Sequence, residues 1–158
     1  MPLLALALAA ALQAEAACPA KPAEPPAIFA GWTARAPLKT GTGASDTPKV
    51  ETGNGFDATL SRTVTFELKP EKAAEPGSYG GMVEIQIDRS GVLAVGLGSG
   101  AWVDLVQGGA AVKPDAFGHG PACTGIAKQL RFAVGQGQYI LQISNSKTPT
   151  VSLVLGEE

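Results

Sequence analysis

The sequence predicts an all-β protein built as a single β-sandwich, jelly-roll-like, with about eight to ten short antiparallel strands. Apolar and polar residues alternate along several short runs, as in strands with one buried face. Turn signals rich in Gly, Pro, Asp and Asn separate these runs roughly every eight to twelve residues. The 158 residues include 20 Gly and 12 Pro, and a composition so rich in turn formers favours strands over helices.

The chain divides into three predicted segments. Residues 1–16 resemble a secretory signal peptide, because a Leu/Ala run ends in the small-residue triplet Ala14-Glu15-Ala16. Residues 17–26 are proline-rich and form a predicted extended tether. Residues 27–158 form one β-sandwich domain of ordinary size. Export to the periplasm or the extracellular space is therefore expected, with no transmembrane segment, since the first apolar run is too short to cross a bilayer.

Two cysteines, Cys18 and Cys123, are the only ones in the chain. In an exported protein such a pair predicts one disulfide, which would tie the tether to the last third of the sequence. Two free thiols are one alternative. A lipid on Cys18 is the other, although Glu15 stands where a lipidation signal has an apolar residue.

The first half of the domain opens with an apolar segment, residues 27–32, as its first folded piece. Residues 41–55 are polar and glycine-rich, which predicts a long loop that is either disordered or functional. Alternation then predicts a half-buried strand over residues 58–68. Its apolar face consists of Val64, Phe66 and Leu68.

The middle of the chain predicts a hairpin. Val83, Ile85 and Ile87 alternate with polar residues, and the turn at residues 88–91 leads into a run that is apolar on both faces. The alternating glycines that follow indicate a bulge or a tight bend at a sheet edge. These are Gly96, Gly98 and Gly100.

The last third predicts the strands that close the sandwich. The Gly108-Gly109 pair is a tight-turn signal. Three alternating runs then end the chain, and Tyr139 shares its face with Leu141 and Ile143, so it is assigned to the core.

Charge and motifs exclude several functions. The formal net charge is −2 and the twelve basic residues are scattered, whereas nucleic-acid binding needs clustered Lys and Arg. No Lys-Ser or Lys-Thr pair follows the alternating glycines, so they are not a phosphate loop. A serine-hydrolase elbow fails at Ser99, because Leu97 and Ala101 stand where that motif has glycines.

Trp102 and Trp32 are the aromatic candidates for a sugar-binding platform. Trp102 shares its predicted strand face with Asp104, which suggests partial exposure, and Trp32 lies near the end of an apolar segment. Either ring could instead fill the core. The candidate ligand-binding residues are Trp102, Trp32, His119 and Asp104.

His119 is the single histidine and stands four residues before Cys123. A zinc site could draw on His119, Cys123 and Cys18, but structural zinc usually takes four ligands, and this set would consume the disulfide. We therefore expect no metal ligand, no catalytic residue and no cofactor. The alternative is a metal-dependent enzyme centred on His119.

Three stretches carry a family resemblance: residues 98–106, 119–128 and 137–155. They resemble small exported bacterial β-sandwich proteins of unestablished role, some of which are labelled homogentisate 1,2-dioxygenase. That chemistry implies an iron site with two His and one carboxylate, and this chain has one His. The resemblance therefore supplies no catalytic residue.

The last strands also resemble the C-terminal jelly-roll domains of secreted peptidases, through Gly137, Tyr139 and Leu141. Together these observations predict an exported, non-catalytic binding or envelope-associated domain. Its expected partner is a glycan or an envelope protein.

Overall fold

A computed structural model describes residues 16–158, so the predicted signal peptide lies, except for Ala16, outside the described residues. The described part folds as two β-sheets packed face to face, which confirms the predicted all-β sandwich. None of its helices has the length and apolar character needed to cross a membrane. Residues 17–26 contain neither helix nor strand.

Residues 16–158 contain one 3-10 helix and eleven strands, which are joined by loops. In chain order they are the 3-10 helix Ala27–Thr33, β1 Arg35–Lys39, β2 Lys49–Val50, β3 Gly55–Thr59, β4 Tyr79–Ile87, β5 Gly91–Leu97, β6 Trp102–Gln107, β7 Ala110–Val112, β8 Ala116–His119, β9 Lys128–Val134, β10 Gly137–Ser146 and β11 Thr150–Glu157.

The strand order is that of a jelly roll. The first sheet runs β1-β3-β11-β5-β9-β8 and the second runs β2-β4-β10-β6-β7. Strands β3, β4, β5 and β6 pair antiparallel with β11, β10, β9 and β7, respectively. The two halves of the chain thus pair as one long hairpin that is rolled into two sheets, which is the nested arrangement of this fold.

Three further strands, β1, β2 and β8, lie at sheet edges and bring the number above the predicted eight to ten. Two of the pairings, β1 with β3 and β2 with β4, are parallel. A parallel neighbour needs a long connection. Residues 40–54 and 51–78, which join these pairs, provide that length.

The turn between β6 and β7 is the tip of the long hairpin. Gly108 and Gly109 have positive φ values of 58° and 75°. Positive φ at both central residues defines a type I′ turn, which glycine adopts without strain. Gln107 therefore pairs with Ala110, and the predicted tight turn is confirmed.

The predicted hairpin at residues 88–91 is wrong. β4 lies in the second sheet and β5 in the first, so this connection crosses the sandwich. The connection between β9 and β10 also crosses. A local turn signal indicates that the chain reverses, but the choice of sheet depends on distant partners.

The loop at residues 41–55 contains β2 and an ordered turn. The Asp46 carboxylate accepts hydrogen bonds from the Thr42 amide and hydroxyl, both at 2.8 Å, and from the Gly43 amide at 2.7 Å. These bonds, led by that from the Thr42 side chain, hold the pKa of Asp46 below its ordinary value. The loop is thus shaped by its own side chains.

The main core fills the space between the two sheets. Leu93, Val95 and Leu97 of β5 face Leu141 and its neighbours on the second sheet, all fully buried. Tyr139 belongs to this core, as expected, and its hydroxyl donates to the Gly135 carbonyl at 3.0 Å.

A second, smaller core covers the outer face of the first sheet. Phe29 and Trp32 of the 3-10 helix pack there against Ala94, Ile126 and Val154. The helix can pack closely only where the sheet carries short side chains. On this face β5 carries short side chains, and they determine where the helix packs.

Of the bulge and the bend predicted for the alternating glycines, the structure shows a bend at residues 98 and 99, directly after β5. Gly96 provides room under the helix and forms no bulge. It lies inside the regular β5 ladder, with no register shift against either neighbouring strand. A methyl group at this position would come within 2.8 Å of Val154 Cγ1 and 3.5 Å of the Phe29 ring. The glycine therefore serves close packing under the helix.

Residues 61–78, here called the strap, cross the outer face of the second sheet. Val64, Phe66 and Leu68 are half-buried and the residues between them are exposed, as the alternation indicates. The predicted strand is nevertheless wrong, because residues 62–68 belong to no strand. The apolar face packs on the sheet while the backbone finds most of its partners in side chains.

Gln142 is the main anchor of the strap. This side chain is 1% exposed, and its amide accepts from the Leu68 amide at 3.0 Å and donates to the Leu68 carbonyl at 2.8 Å. Asn145 provides a second anchor by accepting from the Glu75 amide at 2.7 Å. Polar side chains on the outer face of β10 thus replace a neighbouring strand.

We expect Gln142→Ala to lower the free energy of unfolding by about 1 to 3 kcal/mol, because it leaves two backbone groups of Leu68 without partners. Chemical denaturation followed by tryptophan fluorescence measures the change. Gln136→Ala, at an exposed turn position, is the control and should change little. Equal stability of the two variants would show that the strap is not held by Gln142.

Candidate functional site

A cleft of about 380 Å³ opens at one end of the sandwich. It lies between the loop after β5, which contributes Ser99, and the β8–β9 hairpin, which contributes Phe117, His119 and Lys128. We call it the Phe117 cleft. Its shape is set by two strands of one sheet and a loop that leads into the other.

Phe117 is the exposed large hydrophobic side chain of the described residues, with 76% of its surface accessible. In the β8–β9 register it stands opposite Leu130, a core residue. Paired residues share a sheet face, so Phe117 extends the inner, apolar face of the first sheet. Because β8 is the edge strand, the ring lies beyond the closed part of the core.

Lys128 crosses from the first sheet towards the second. It pairs with His119 on one side and with Leu97 on the other. Its Nζ donates to the Ala101 carbonyl at 3.1 Å and lies 5.3 Å from the centre of the Trp102 ring. Burial lowers the pKa of Lys128, nearby Lys72 lowers it further, and Asp104 opposes both effects.

Trp102 and Asp104 lie side by side on β6, as the sequence predicted. Trp102 is half-buried, and its indole Nε1 donates to Asp104 Oδ1 at 3.1 Å. Asp104 is only 7% exposed, because the strap covers it, and its Oδ2 accepts from the Glu71 amide at 3.3 Å. Asp104 therefore holds the strap instead of facing solvent.

Burial is also the main influence on the titration of Asp104. It raises the pKa of this carboxyl above the ordinary value, and the hydrogen bonds from Trp102 and Glu71 oppose the effect. Asp104 and Trp102 are thus linked to the Phe117 cleft through Lys128, whose ammonium group lies over the Trp102 ring.

His119 lies at the exposed end of β8 and lines the cleft. Its carbonyl accepts a hydrogen bond from Gln129 Nε2 at 2.9 Å. Within residues 16–158, no three side chains of His, Cys, Asp or Glu come together as a metal-binding group. The ligand set that the metal-enzyme alternative requires is therefore not assembled around His119 in this part of the chain.

Trp32 lies away from the Phe117 cleft, in the second core. It is 7% exposed, its Nε1 donates to the Thr124 carbonyl at 2.9 Å, and the Arg35 guanidinium lies 4.4 Å from its ring centre. A separate open cavity of about 550 Å³ passes this ring beside the tether. Trp32 thus acts as a packing residue between helix and sheet.

Cys18 and Cys123 form the predicted disulfide, with their Cα atoms 5.3 Å apart. The tether is also held by a hydrogen bond from the Ala23 amide to the Cys123 carbonyl at 2.8 Å. Cys123 belongs to the loop between β8 and β9, and both ends of that loop line the cleft at His119 and Ala127. The disulfide therefore restrains one wall of the cleft.

Phe117 and Lys128 are the cleft residues that sequence reasoning missed. A usable signal exists for Phe117: its neighbours two positions away, Asp115 and His119, are both polar. In a strand, polar residues on both sides of an aromatic residue on one face indicate that this part of the face lies outside the closed core. For Lys128 no local pattern indicates the contact, since Ala101 and Trp102 are distant in sequence.

These features define a disulfide-linked jelly-roll β-sandwich with an open aromatic cleft at its end. No protein-family model matches the chain, and no curated protein is similar to it. The resemblances to exported bacterial proteins and to peptidase-linked domains stay predictions.

Replacing both cysteines by serine should lower the free energy of unfolding by about 2 to 4 kcal/mol, because the bond closes a long loop. The two residues are 105 positions apart. Denaturation of the double variant and of the oxidised wild type measures the difference. Mass spectrometry without reductant should show the wild type lighter by two hydrogen atoms than after reduction; two reactive thiols would contradict the bond.

Asp104 should give the folded protein a characteristic pH response. Because its folded-state pKa is raised above the ordinary 3.8, protonation favours folding, and this contribution is lost as the pH rises through the raised value. Asparagine cannot titrate. We therefore expect the free energy of unfolding of the wild type, minus that of Asp104→Asn, to increase as the pH falls from about 7 to about 3.

Asp57→Asn is the matched comparison for this pH series. Hydrogen bonds from Arg35 and Ser152 lower the pKa of Asp57, so its stabilising contribution is present above the ordinary value and is lost on acidification. The free energy of unfolding of the wild type, minus that of Asp57→Asn, should thus decrease as the pH falls. Parallel trends for the two variants would contradict the assigned environments.

Proposed function

We propose that this chain is an exported, non-catalytic carbohydrate-binding domain that holds its ligand in the Phe117 cleft. The observation that carries the proposal is the exposed Phe117 side chain, 76% accessible, in a cavity that is also lined by the polar residues His119 and Lys128. An apolar surface with a few placed polar groups is the usual composition of a ligand site.

The chemistry of the cleft suits a sugar. A pyranose has an apolar face of C–H groups, which can lie on a flat aromatic ring, and a rim of hydroxyls, which need hydrogen-bond partners. Phe117 supplies the ring, and the side chains of His119 and Lys128 line the same cavity. Both His and Lys can donate hydrogen bonds to such hydroxyls.

The aromatic ring that we propose for sugar binding is Phe117, and not either of the two tryptophans that the sequence suggested. Trp32 is buried in the second core, and Trp102 is half-buried with its ring next to the Lys128 ammonium. Trp102 supports the cleft through Lys128, whereas Phe117 has an accessible face. The proposed ligand therefore makes its main contacts with β8 and β9.

The proposed location is the periplasm or the extracellular space. The disulfide supports a compartment that is not reducing, because such bonds are rare in the cytosol. A glycan of the cell envelope or of the surroundings is the corresponding ligand source. An enzymatic role centred on His119 has no supporting geometry among residues 16–158.

Phe117→Ala should abolish glycan binding while leaving the melting temperature close to that of the wild type, because the ring is exposed. A glycan array identifies ligands, and isothermal titration calorimetry compares the variants. Phe117→Trp should keep binding, since it retains a flat ring, whereas Phe117→Leu should lose most of it. Lys147→Ala, at an exposed turn remote in sequence, serves as the surface control.

Two outcomes would contradict the proposal. One is the absence of any glycan ligand on the array for the correctly folded wild type. The other is a ligand whose affinity is the same for the wild type and for Phe117→Ala, which would place binding elsewhere on the domain.

A further inference from the structure

The charge of the cavities around Phe117 has a single sign. The Phe117 cleft is lined by His119 and Lys128, and a smaller cavity of about 130 Å³ on β8 and β9, which also includes Phe117, is lined by Arg131. The ionisable side chains lining these two cavities are therefore all basic. The aromatic ring lies between them.

This local excess of basic residues is not a property of the whole chain. Acidic residues outnumber basic ones by 14 to 12, and the formal net charge is −2. A basic surface around an exposed ring thus stands out from an overall acidic background. Such a surface attracts a ligand that carries negative charge.

The carboxylates near these cavities already have partners. Asp104 lies under the strap, bonded to Trp102 and to the Glu71 amide. Asp115 Oδ2 accepts from the Ala133 amide at 2.9 Å, and Glu158 pairs with Arg131 at 2.9 Å.

Arg131 is therefore partly neutralised by an ion pair, whereas Lys128 interacts with the Asp104 carboxylate only at longer range. The ion pairs of the described residues include none with Lys128. Its ammonium group has a carbonyl and an aromatic ring as partners. Lys128 consequently retains charge that a ligand anion could satisfy.

We propose that the ligand is an acidic carbohydrate, with a sugar ring on Phe117 and its carboxylate bound by Lys128. This inference rests on the proposed carbohydrate-binding function. Hydrogen bonds between an ammonium group and a carboxylate are stronger than those between neutral groups, so the carboxylate would add both affinity and selectivity.

The strand register supports the spacing. Phe117 stands opposite Leu130, and Lys128 is two residues further along the same strand. Diagonal neighbours of this kind have their side chains on one face, with Cα atoms roughly 7 to 8 Å apart, which is within reach of aromatic and long side chains. A uronic acid on the Phe117 ring would extend its carboxylate outward from a ring carbon, towards a neighbouring side chain on this face.

The test compares two forms of one oligosaccharide. Oligogalacturonate and its fully methyl-esterified form share their rings and linkages, but only the first carries charge. Calorimetry should give about tenfold tighter binding for the acid, corresponding to one charged hydrogen bond. Salt should reduce this preference, since it screens the charges.

Variants then assign the preference to Lys128. Lys128→Gln should make the two forms bind equally, and Lys128→Arg should retain the preference for the acid. Lys113→Gln removes one exposed basic residue that does not line either cavity, and should behave as the wild type. Thermal unfolding verifies each variant; if Lys128→Gln is unstable, Lys128→Met, which keeps the apolar stem and removes the charge, replaces it in the comparison.

Each result has a distinct meaning. Equal affinity of the wild type for the acid and the ester would overturn this inference and leave carbohydrate binding in place. Equal binding of polyglutamate would also overturn it, by showing attraction to charge without sugar. No binding of either form, together with an empty glycan array, would overturn the proposed function itself.

Discussion

The two-residue turn at Gly108 and Gly109 determines the arrangement on which the rest of the fold depends. Both residues take positive φ, which closes β6 on β7 with a fixed register. From that point outward each earlier strand meets a later one, β5 with β9, β4 with β10 and β3 with β11. Rolling this hairpin into two sheets creates the main core between them.

A jelly roll leaves two outer faces to cover, and this chain covers much of both. The 3-10 helix packs Phe29 and Trp32 over the first sheet, and the strap lies over the second, held by Gln142 and Asp104. Aromatic and acidic residues that alternation alone would assign to solvent are thereby buried. The exposed aromatic side chain Phe117 lies on the edge strand β8, which neither cover reaches.

Much of the fold was predictable because it depends on local patterns. Alternation identified the strands of the sandwich, the paired glycines identified the central turn, and an exported chain with two cysteines predicted the disulfide. The sheet to which each strand belongs was not predictable in this way. The turn at residues 88–91 has the same local signal in a hairpin as in a crossing between sheets.

The candidate site was predictable only in part, for a related reason. His119 and Trp102 attract attention through their residue types, and both lie at or next to the cleft. Lys128 matters because its side chain reaches Ala101, a contact between residues far apart in the chain. The strap shows the same limit: Val64, Phe66 and Leu68 alternate as in a strand, but the backbone of Leu68 has the Gln142 side chain as its partner.

The nested pairing also has a kinetic consequence. β3 must wait for β11, the last strand, before its antiparallel ladder can form, and Cys18 must wait for Cys123. Folds dominated by such non-local contacts have high contact order and fold slowly. A chain that emerges from its N-terminus therefore remains without its native sheets until nearly all of it is available.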